Sequence, residues 1–395
     1  RSDKKKGGGD LMRPKTSGVT SEIKIKRCYG CGAILQSNNK REAGYIDKEH
    51  LESSEEHLCQ RCYRLRHYNE DNQVPAFNED FHKILQRAKE KEALIVWVLD
   101  TFSLCGSLEE GMITSLNELQ ISKVFVILNK RDVLPKSFNE EKILAHTKSV
   151  LAKSGITPLE TLIISSLKNY NLDDVMSTIE RLRGGKDVYF MGVSQVGKSS
   201  IINCLLKNYQ NKTDKLITTS SFPGTTIDVI KIPLDKNSYI YDTAGIFNSR
   251  SMINNVERNI LKYIIPRNEI NLRTYQVKEE QSFLLGTLAK IDFVKGPNTN
   301  FTIVCANTVD VQRTKLAKSN ATFNSFVVTK ETKPVSTLIT DIKDLKQNHF
   351  ELPNSGSVAI QIAGFAVIIL EANNQVIDVY APSKVLVNLG SNPWY

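Results

Sequence analysis

The sequence predicts an α/β fold built on a parallel sheet, with a metal-binding module before it and a β-rich domain after it. Three observations carry this. Apolar runs alternate with amphipathic helical stretches from Ala76 to Pro266, the pattern of parallel strands joined by right-handed crossovers. Gly192–Ser199 reads G-V-S-Q-V-G-K-S, with an apolar strand before it and an apolar helix start after it, the context a phosphate-binding loop requires. Beyond Pro266, apolar and polar residues alternate between turn signals, the period of β-strands.

A chain of 395 residues is long enough for two or three domains, each with its own core. The longest apolar runs, Ala93–Leu99 and Val358–Leu370, fall short of the ~18 residues of a membrane helix, so no membrane partner is expected. The sequence begins at Arg1 rather than Met, leaving open that a targeting segment precedes it. The net charge of +9 suits a polyanionic partner but is equally the balance of an ordinary soluble surface. Of the seven cysteines, four form two C-x-x-C pairs, and Cys105, Cys204 and Cys305 are scattered among apolar residues. An odd count with paired spacing points to a reducing compartment and a metal site rather than a disulfide framework.

Taken in order, residues 1–27 read as a basic flexible tail rich in Lys, Gly and Ser. Residues 28–75 read as a zinc module. Its pairs are C-Y-G-C and C-Q-R-C, and Cys28, Cys31, Cys59 and Cys62 make a tetrahedral thiolate set with no open position for catalysis. His50, His57 and His67 lie near enough in sequence to replace one thiolate, though an all-cysteine set is simpler. Arg61, Arg64, Arg66, His67 and Tyr68 flank the second pair. They suit RNA phosphates and bases, and equally a solvated helix face.

Residues 76–266 form the α/β domain. Helices are expected at Asn78–Lys91, Leu108–Leu119, Glu140–Ala152 and Leu172–Arg181. Phe81, Ile84, Leu85 and Ala88 make the apolar face of the first. Strands are expected at Ala93–Leu99, Lys123–Leu128, Leu159–Ser165 and Asp187–Met191. A helix Asn254–Ile265 closes the domain before Pro266.

Ligands bind at the carboxyl ends of parallel strands, and motifs stand there. In the phosphate loop, backbone from Gly192 through Ser194, Gln195, Val196 and Gly197 to Ser199 and Ser200 is placed to cradle phosphate oxygens. Lys198 adds a charge for the β- and γ-phosphates, and Ser199 a hydroxyl for Mg²⁺. After the second strand comes N-K-R-D. Asp132 can accept from the ring N–H and exocyclic amine of guanine, a donor pair adenine lacks. Asn129 can bridge loops, and the Lys130 stem can lie along the base. After the third strand, Ser165-Ser166-Leu167-Lys168 offers a backbone N–H to the guanine carbonyl. Phe222-Pro223-Gly224-Thr225-Thr226 supplies Thr225 or Thr226 to Mg²⁺ and the γ-phosphate. In D-T-A-G, Asp242 serves the Mg²⁺ shell and the Gly245 N–H senses the γ-phosphate. Lys198, Thr225, Thr226 and Gly245 are thus the candidate catalytic set. The ligands implied are GTP or GDP, Mg²⁺ and Zn²⁺.

The motif order is unusual, since Asp132 precedes Gly192. In ordinary small GTPases the phosphate loop comes first. A circular permutation gives this order while leaving the sheet unchanged. In this combined order of zinc pairs, N-K-x-D, S-S-L-K, phosphate loop, P-G-T-T, D-T-A-G and a β-rich tail, the chain resembles the YqeH family of circularly permuted GTPases from residue 28 to about 395. The resemblance implies a circularly permuted P-loop GTPase domain, a treble-clef-like zinc module, and a role in maturation of the small ribosomal subunit. Related organelle proteins act in mitochondrial or plastid translation, so a bacterial-type cytoplasm or an organelle is implied, and a monomer is expected. Two departures stand out. Gln195 occupies a position where many relatives carry an Asn that helps bind K⁺, which leaves K⁺ open. Ile246 follows the sensing glycine and cannot orient water by hydrogen bonding, so slow intrinsic hydrolysis is expected.

Residues 267–395 are expected to be β-rich and to bind RNA or protein. Strand-like runs are Ser282–Leu288, Phe301–Ala306, Val358–Leu370, Val376–Tyr380 and Val385–Leu389, with turns at Gly296-Pro297-Asn298 and Asn373-Asn374 and a helical stretch at Val335–Lys346. Phe365 and Tyr380 read as core. Two other readings compete with a GTPase switch: a zinc-dependent RNA-binding assembly factor that senses guanine nucleotides without turnover, and an ATP-using P-loop enzyme, against which Asp132 argues.

Overall fold

A computed structural model of the chain describes residues 26, 34–39, 44–52, 59–60, 74–209, 218–221, 228–243 and 245–394. A short helix α1 (Lys48–Glu52) precedes the α/β domain. That domain runs α2 (Val74–Glu90), β1 (Leu94–Asp100), α3 (Leu104–Ser107), α4 (Glu110–Glu118), β2 (Val124–Asn129), α5 (Glu140–Lys153), β3 (Glu160–Ile163), α6 (Leu172–Arg183), β4 (Val188–Met191), α7 (Lys198–Tyr209), β5 (Thr218–Ser221), β6 (Asp228–Pro233) and β7 (Tyr239–Thr243).

The seven strands form one sheet in the order β3-β2-β1-β4-β7-β6-β5. β3, β2, β1, β4 and β7 are parallel, and β6 and β5 extend the sheet antiparallel. β1 reads L-I-V-W-V-L-D and every residue of it is buried, as expected of a central strand covered on both faces. Phe81, Ile84, Leu85 and Ala88 are buried under α2, so the helical period places its apolar stripe as expected. Register fixes the working edge. Asp100 lies beside Asn129 in the β1–β2 ladder, and Trp97 beside Met191 in the β1–β4 ladder. The loops after β1, β2, β3, β4 and β7 therefore emerge along one edge of the sheet.

The linker carries α8 (Arg258–Ile264), shorter than the expected Asn254–Ile265. Residues 254–257 are taken by other bonds: the Asn254 side chain donates to Asn248 O at 2.8 Å, and Glu257 is an extended N-cap. The C-terminal part comprises β8 (Arg273–Val277), β9 (Gln281–Leu285), β10 (Ala289–Lys295), β11 (Thr299–Cys305), β12 (Val311–Lys315), α9 (Leu316–Thr329), β13 (Leu345–Glu351), β14 (Ser357–Ile362), β15 (Ala366–Glu371), β16 (Val376–Pro382) and β17 (Val387–Ser391). Two five-stranded antiparallel sheets, β12-β9-β10-β16-β13 and β17-β14-β15-β11-β8, share one core. Phe283 and Phe293 of the first meet Phe301 of the second at ring-centroid distances of 5.7 and 5.8 Å.

Three expectations here need correction. The run Val358–Leu370 is not one strand but the hairpin β14–β15, turning at Gly364, whose φ is +73°. The stretch Val335–Lys346 is not an α-helix: it holds a single 3₁₀ turn at Ile342–Asp344 and then enters β13. The helix lies earlier, at α9, where a low contrast between its faces hid the period. Phe365 is fully buried as expected, whereas Tyr380 is half-buried and carries Lys290 Nζ 4.1 Å from its ring centroid.

The two folded parts are packed together. Trp394 stacks on Phe138 at 4.8 Å. Met252 N donates to Ala363 O at 2.8 Å, Leu386 N to Arg250 O at 2.8 Å, and Gly364 N to Ser103 Oγ at 2.7 Å. A Cβ on Gly106 would lie 2.7 Å from Gly364 N, so glycine there permits the close approach.

Candidate nucleotide site

Each loop of the site follows a parallel strand. β4 ends at Met191, and the phosphate loop turns at once into α7, with Lys198 at its first helical position. Gly192 has φ +151°, and a Cβ there would lie 2.4 Å from Val98 O on β1. Gly197 has φ +94°, and its Cβ would lie 2.3 Å from Asn129 Nδ2. Both positions need glycine for conformation and for space. Gln195 also sits in the left-handed region, at φ +69°, where a residue with a Cβ is strained by about 1 kcal/mol. Lys198 Nζ donates to Gly192 O at 3.1 Å, folding back over the loop.

Asn129 joins the two halves of the site. Its Nδ2 donates to Val196 O in the phosphate loop at 2.9 Å, and its Oδ1 accepts from Ser166 N at 3.1 Å. A buried amide with both ends used costs little to hold and much to break. Asp132 Oδ1 accepts from Ser165 Oγ at 2.5 Å, and Ser165 Oγ accepts from Lys168 N at 3.0 Å. The Asp132 carboxylate is thereby oriented by the loop after β3, and Arg131 N donates to Ile164 O at 2.9 Å. Leu167 stands 68% exposed at the mouth of this loop. Lys130 has φ +71°, and its Nζ lies 2.6 Å from Asp100 Oδ2.

On the opposite side, Ser199 Oγ donates to Asp242 Oδ2 at 3.2 Å. A hydroxyl and a carboxylate so placed form two hard oxygen donors suited to Mg²⁺. Gly245 abuts Ser194, whose Oγ would be 2.9 Å from an added Cβ. Ile246 and the phosphate loop exchange two backbone bonds: Ile246 N donates to Gly192 O at 3.0 Å, and Ser194 N donates to Ile246 O at 3.1 Å. The residue after the D-T-A-G glycine is thus tied to the phosphate loop, with Ile246 itself buried.

The structure brings Asn129, Lys130, Asp132, Ser165, Ser166, Leu167, the loop Gly192–Ser200, Asp242 and Gly245 to one edge. Thr225 and Thr226 lie outside the described residues. So do Cys28, Cys31 and Cys62, the basic and aromatic residues 61–68, and the tail 1–25. Cys59 is described and buried. Among the described residues no cluster of three or more metal-ligating side chains occurs, and no helix is long and apolar enough to cross a membrane. Sequence reading passed over Asp100. Its signal was an acidic residue ending a buried strand at the edge that holds the motifs.

Comparison with known proteins agrees with this arrangement. The 50S ribosome-binding GTPase family matches residues 187–307, and the YqeH-like C-terminal family matches residues 298–392. The first match begins at β4 and leaves Asn129–Asp132 upstream, as a reordered chain requires. The uncharacterized protein YqeH of Bacillus subtilis (strain 168) is 33% identical over 360 residues, spanning 91% of this chain and 97% of that one. The NO-associated protein 1, chloroplastic/mitochondrial, of Arabidopsis thaliana is 26% identical over 71% of this chain and 57% of its own length. GTPase Der of Aquifex aeolicus (strain VF5) is 30% identical over 47% of this chain and 41% of its own. With the motifs at one sheet edge in permuted order, and a relative one-third identical along nearly its whole length, the chain belongs to the YqeH family and is a GTPase with a circularly permuted P-loop domain.

Proposed function

We propose that this GTPase is a nucleotide-controlled switch in ribosome biogenesis that acts on the small subunit. The observation that carries the nucleotide part of the reading is Asn129, whose side chain ties the phosphate loop to the S-S-L loop, and the match to a ribosome-binding GTPase family supports the ribosomal part. One nucleotide would then meet Asp132 at its base and Lys198 at its phosphates. In this reading the backbone of Gly192–Ser200 holds the phosphates, and Ser199 and Asp242, with Thr225 or Thr226, hold Mg²⁺. The Gly245 N–H reports the γ-phosphate. Ile246 provides no hydrogen bond to the attacking water, so turnover is slow until the ribosome, a cation or another loop supplies that function. Cys28, Cys31, Cys59 and Cys62 bind Zn²⁺, and the zinc and C-terminal modules bind ribosomal RNA or protein, in a cytoplasm of bacterial type or in an organelle.

The description of the matching GTPase family names the large subunit, which favours 50S binding as the second reading. Single-turnover GTP hydrolysis and co-sedimentation, with 30S or 50S particles and with GDP, GTP or a non-hydrolysable analogue, separate the two. The expected result is 30S association that differs between GDP and GTP, hydrolysis raised at least tenfold by 30S, and loss of association on zinc chelation with GDP binding retained. Equal association in all nucleotide states removes the switch. Preference for 50S transfers it to the other particle.

A further inference from the structure

We propose that Asp100 is a positioning residue for the guanine base, acting through Lys130. The proposal rests on the guanine reading above and deepens it. Asp100 ends β1, the strand beside β2, and register alone sets it against Asn129. Its two carboxylate oxygens are both committed. Oδ1 accepts from Phe102 N at 2.9 Å, and Oδ2 lies 2.6 Å from Lys130 Nζ. The side chains are only 11% and 18% exposed, so the pair is poorly screened and its geometry is defined.

The surrounding turn is held from three directions. Asp100 N donates to Ser107 Oγ at 3.1 Å, Thr101 N donates to Asn129 O at 3.0 Å, and Ser103 Oγ accepts from Gly364 N of the C-terminal hairpin. The carboxylate is therefore oriented whether or not a nucleotide is bound.

Its effect on Lys130 follows from the chemistry. The Lys130 backbone is left-handed, and its four-carbon stem is otherwise free to carry the ammonium to any nearby anion. The Asp132 carboxylate, two residues on, must keep its acceptors for the base. Asp100 draws the ammonium toward β1 and leaves the stem extended as an apolar surface for the purine face. Preorganising that stem removes an ordering cost from binding.

The test is equilibrium binding of a fluorescent GDP analogue to the full chain, with ADP as competitor control, for the wild type, Asp100→Asn, Lys130→Met and the double variant. Asparagine keeps an acceptor for Phe102 N–H, so the substitution removes charge rather than the turn. Asp100→Asn is expected to weaken GDP binding about tenfold, and the double variant to bind as Lys130→Met does. Wild-type affinity in Asp100→Asn overturns the proposal. So does a further loss when Asp100→Asn is added to Lys130→Met, since Asp100 would then act elsewhere. If the unpaired ammonium keeps Asp100→Asn from folding, the charge-neutral double variant against Lys130→Met still decides. No GDP binding by the wild type would instead remove the guanine reading itself.

Discussion

Asn129 and Gly197 depend on each other. The amide reaches Val196 O only because position 197 carries no Cβ, which would sit 2.3 Å from Asn129 Nδ2. Gly197→Ala therefore forces Asn129 off one of its two partners and strains a backbone at φ +94°. Overpacking of this kind costs about 1–3 kcal/mol, and GDP affinity is expected to fall on the order of tenfold or more, as read by titration calorimetry. An unchanged affinity would show that the Asn129 bridge does not organise the site. At this scale the sequence was legible wherever chemistry is local. Gly192, Lys198 and Asp132 stand in fixed-spacing motifs that name their own environment. Asp100 and Lys130, 30 positions apart, meet only through strand register, and no spacing rule shows it. The strain at Gln195 was equally hidden, because nothing in the letter Q announces a left-handed backbone.

Among elements, period decided what could be read. β1, β2 and β4 are short unbroken apolar runs, and they lie within a residue or two of where the sequence puts them. Val358–Leu370 is broken only by the buried Gln361, and there the same signal misled. A hairpin buried on both faces has no polar residues to mark its turn, and Gly364 was its sole punctuation. The linker was misjudged for a different reason: its polar side chains bond to neighbouring loops instead of leaving the backbone helical. Glu257, the N-cap of α8, accepts from Ser336 Oγ at 2.6 Å and from Thr337, tying the linker to the C-terminal sheets. Burial pushes its carboxyl up, but the bonds from Ser336 and Thr337 outweigh burial and hold it below the usual range. A carboxyl lowered on folding stabilises above its unfolded pKa, and that contribution fades as pH falls through its folded value. Glu257→Gln is thus expected to lower stability near pH 7 by about 1 kcal/mol, less for solvent screening of a half-buried group. The gap from wild type should narrow as pH falls below the ordinary glutamate range and close in more acid solution. Thermal melting across pH checks this, and a gap that widens in acid would contradict it.

For the whole molecule, permutation sets the consequences. The segment after Gly245, which is bonded to the phosphate loop through Ile246, continues directly into contact with the C-terminal hairpin, where Met252 N donates to Ala363 O. The turn after β1 reaches the same hairpin through Ser103. The C-terminal hairpin therefore meets both the segment that leaves Gly245 and the turn that follows β1, and a change in either has a short path to it. All of this assumes that Asp132 and Lys198 hold opposite ends of one guanine nucleotide, although they lie far apart in the chain. Titration calorimetry of GDP and ADP against the wild type, with xanthosine diphosphate against Asp132→Asn, tests that most directly. The expected result is heat with GDP, none with ADP, and a transfer of preference to the xanthine nucleotide when the carboxylate becomes an amide. Absence of heat with GDP, or equal binding of ADP, would contradict it.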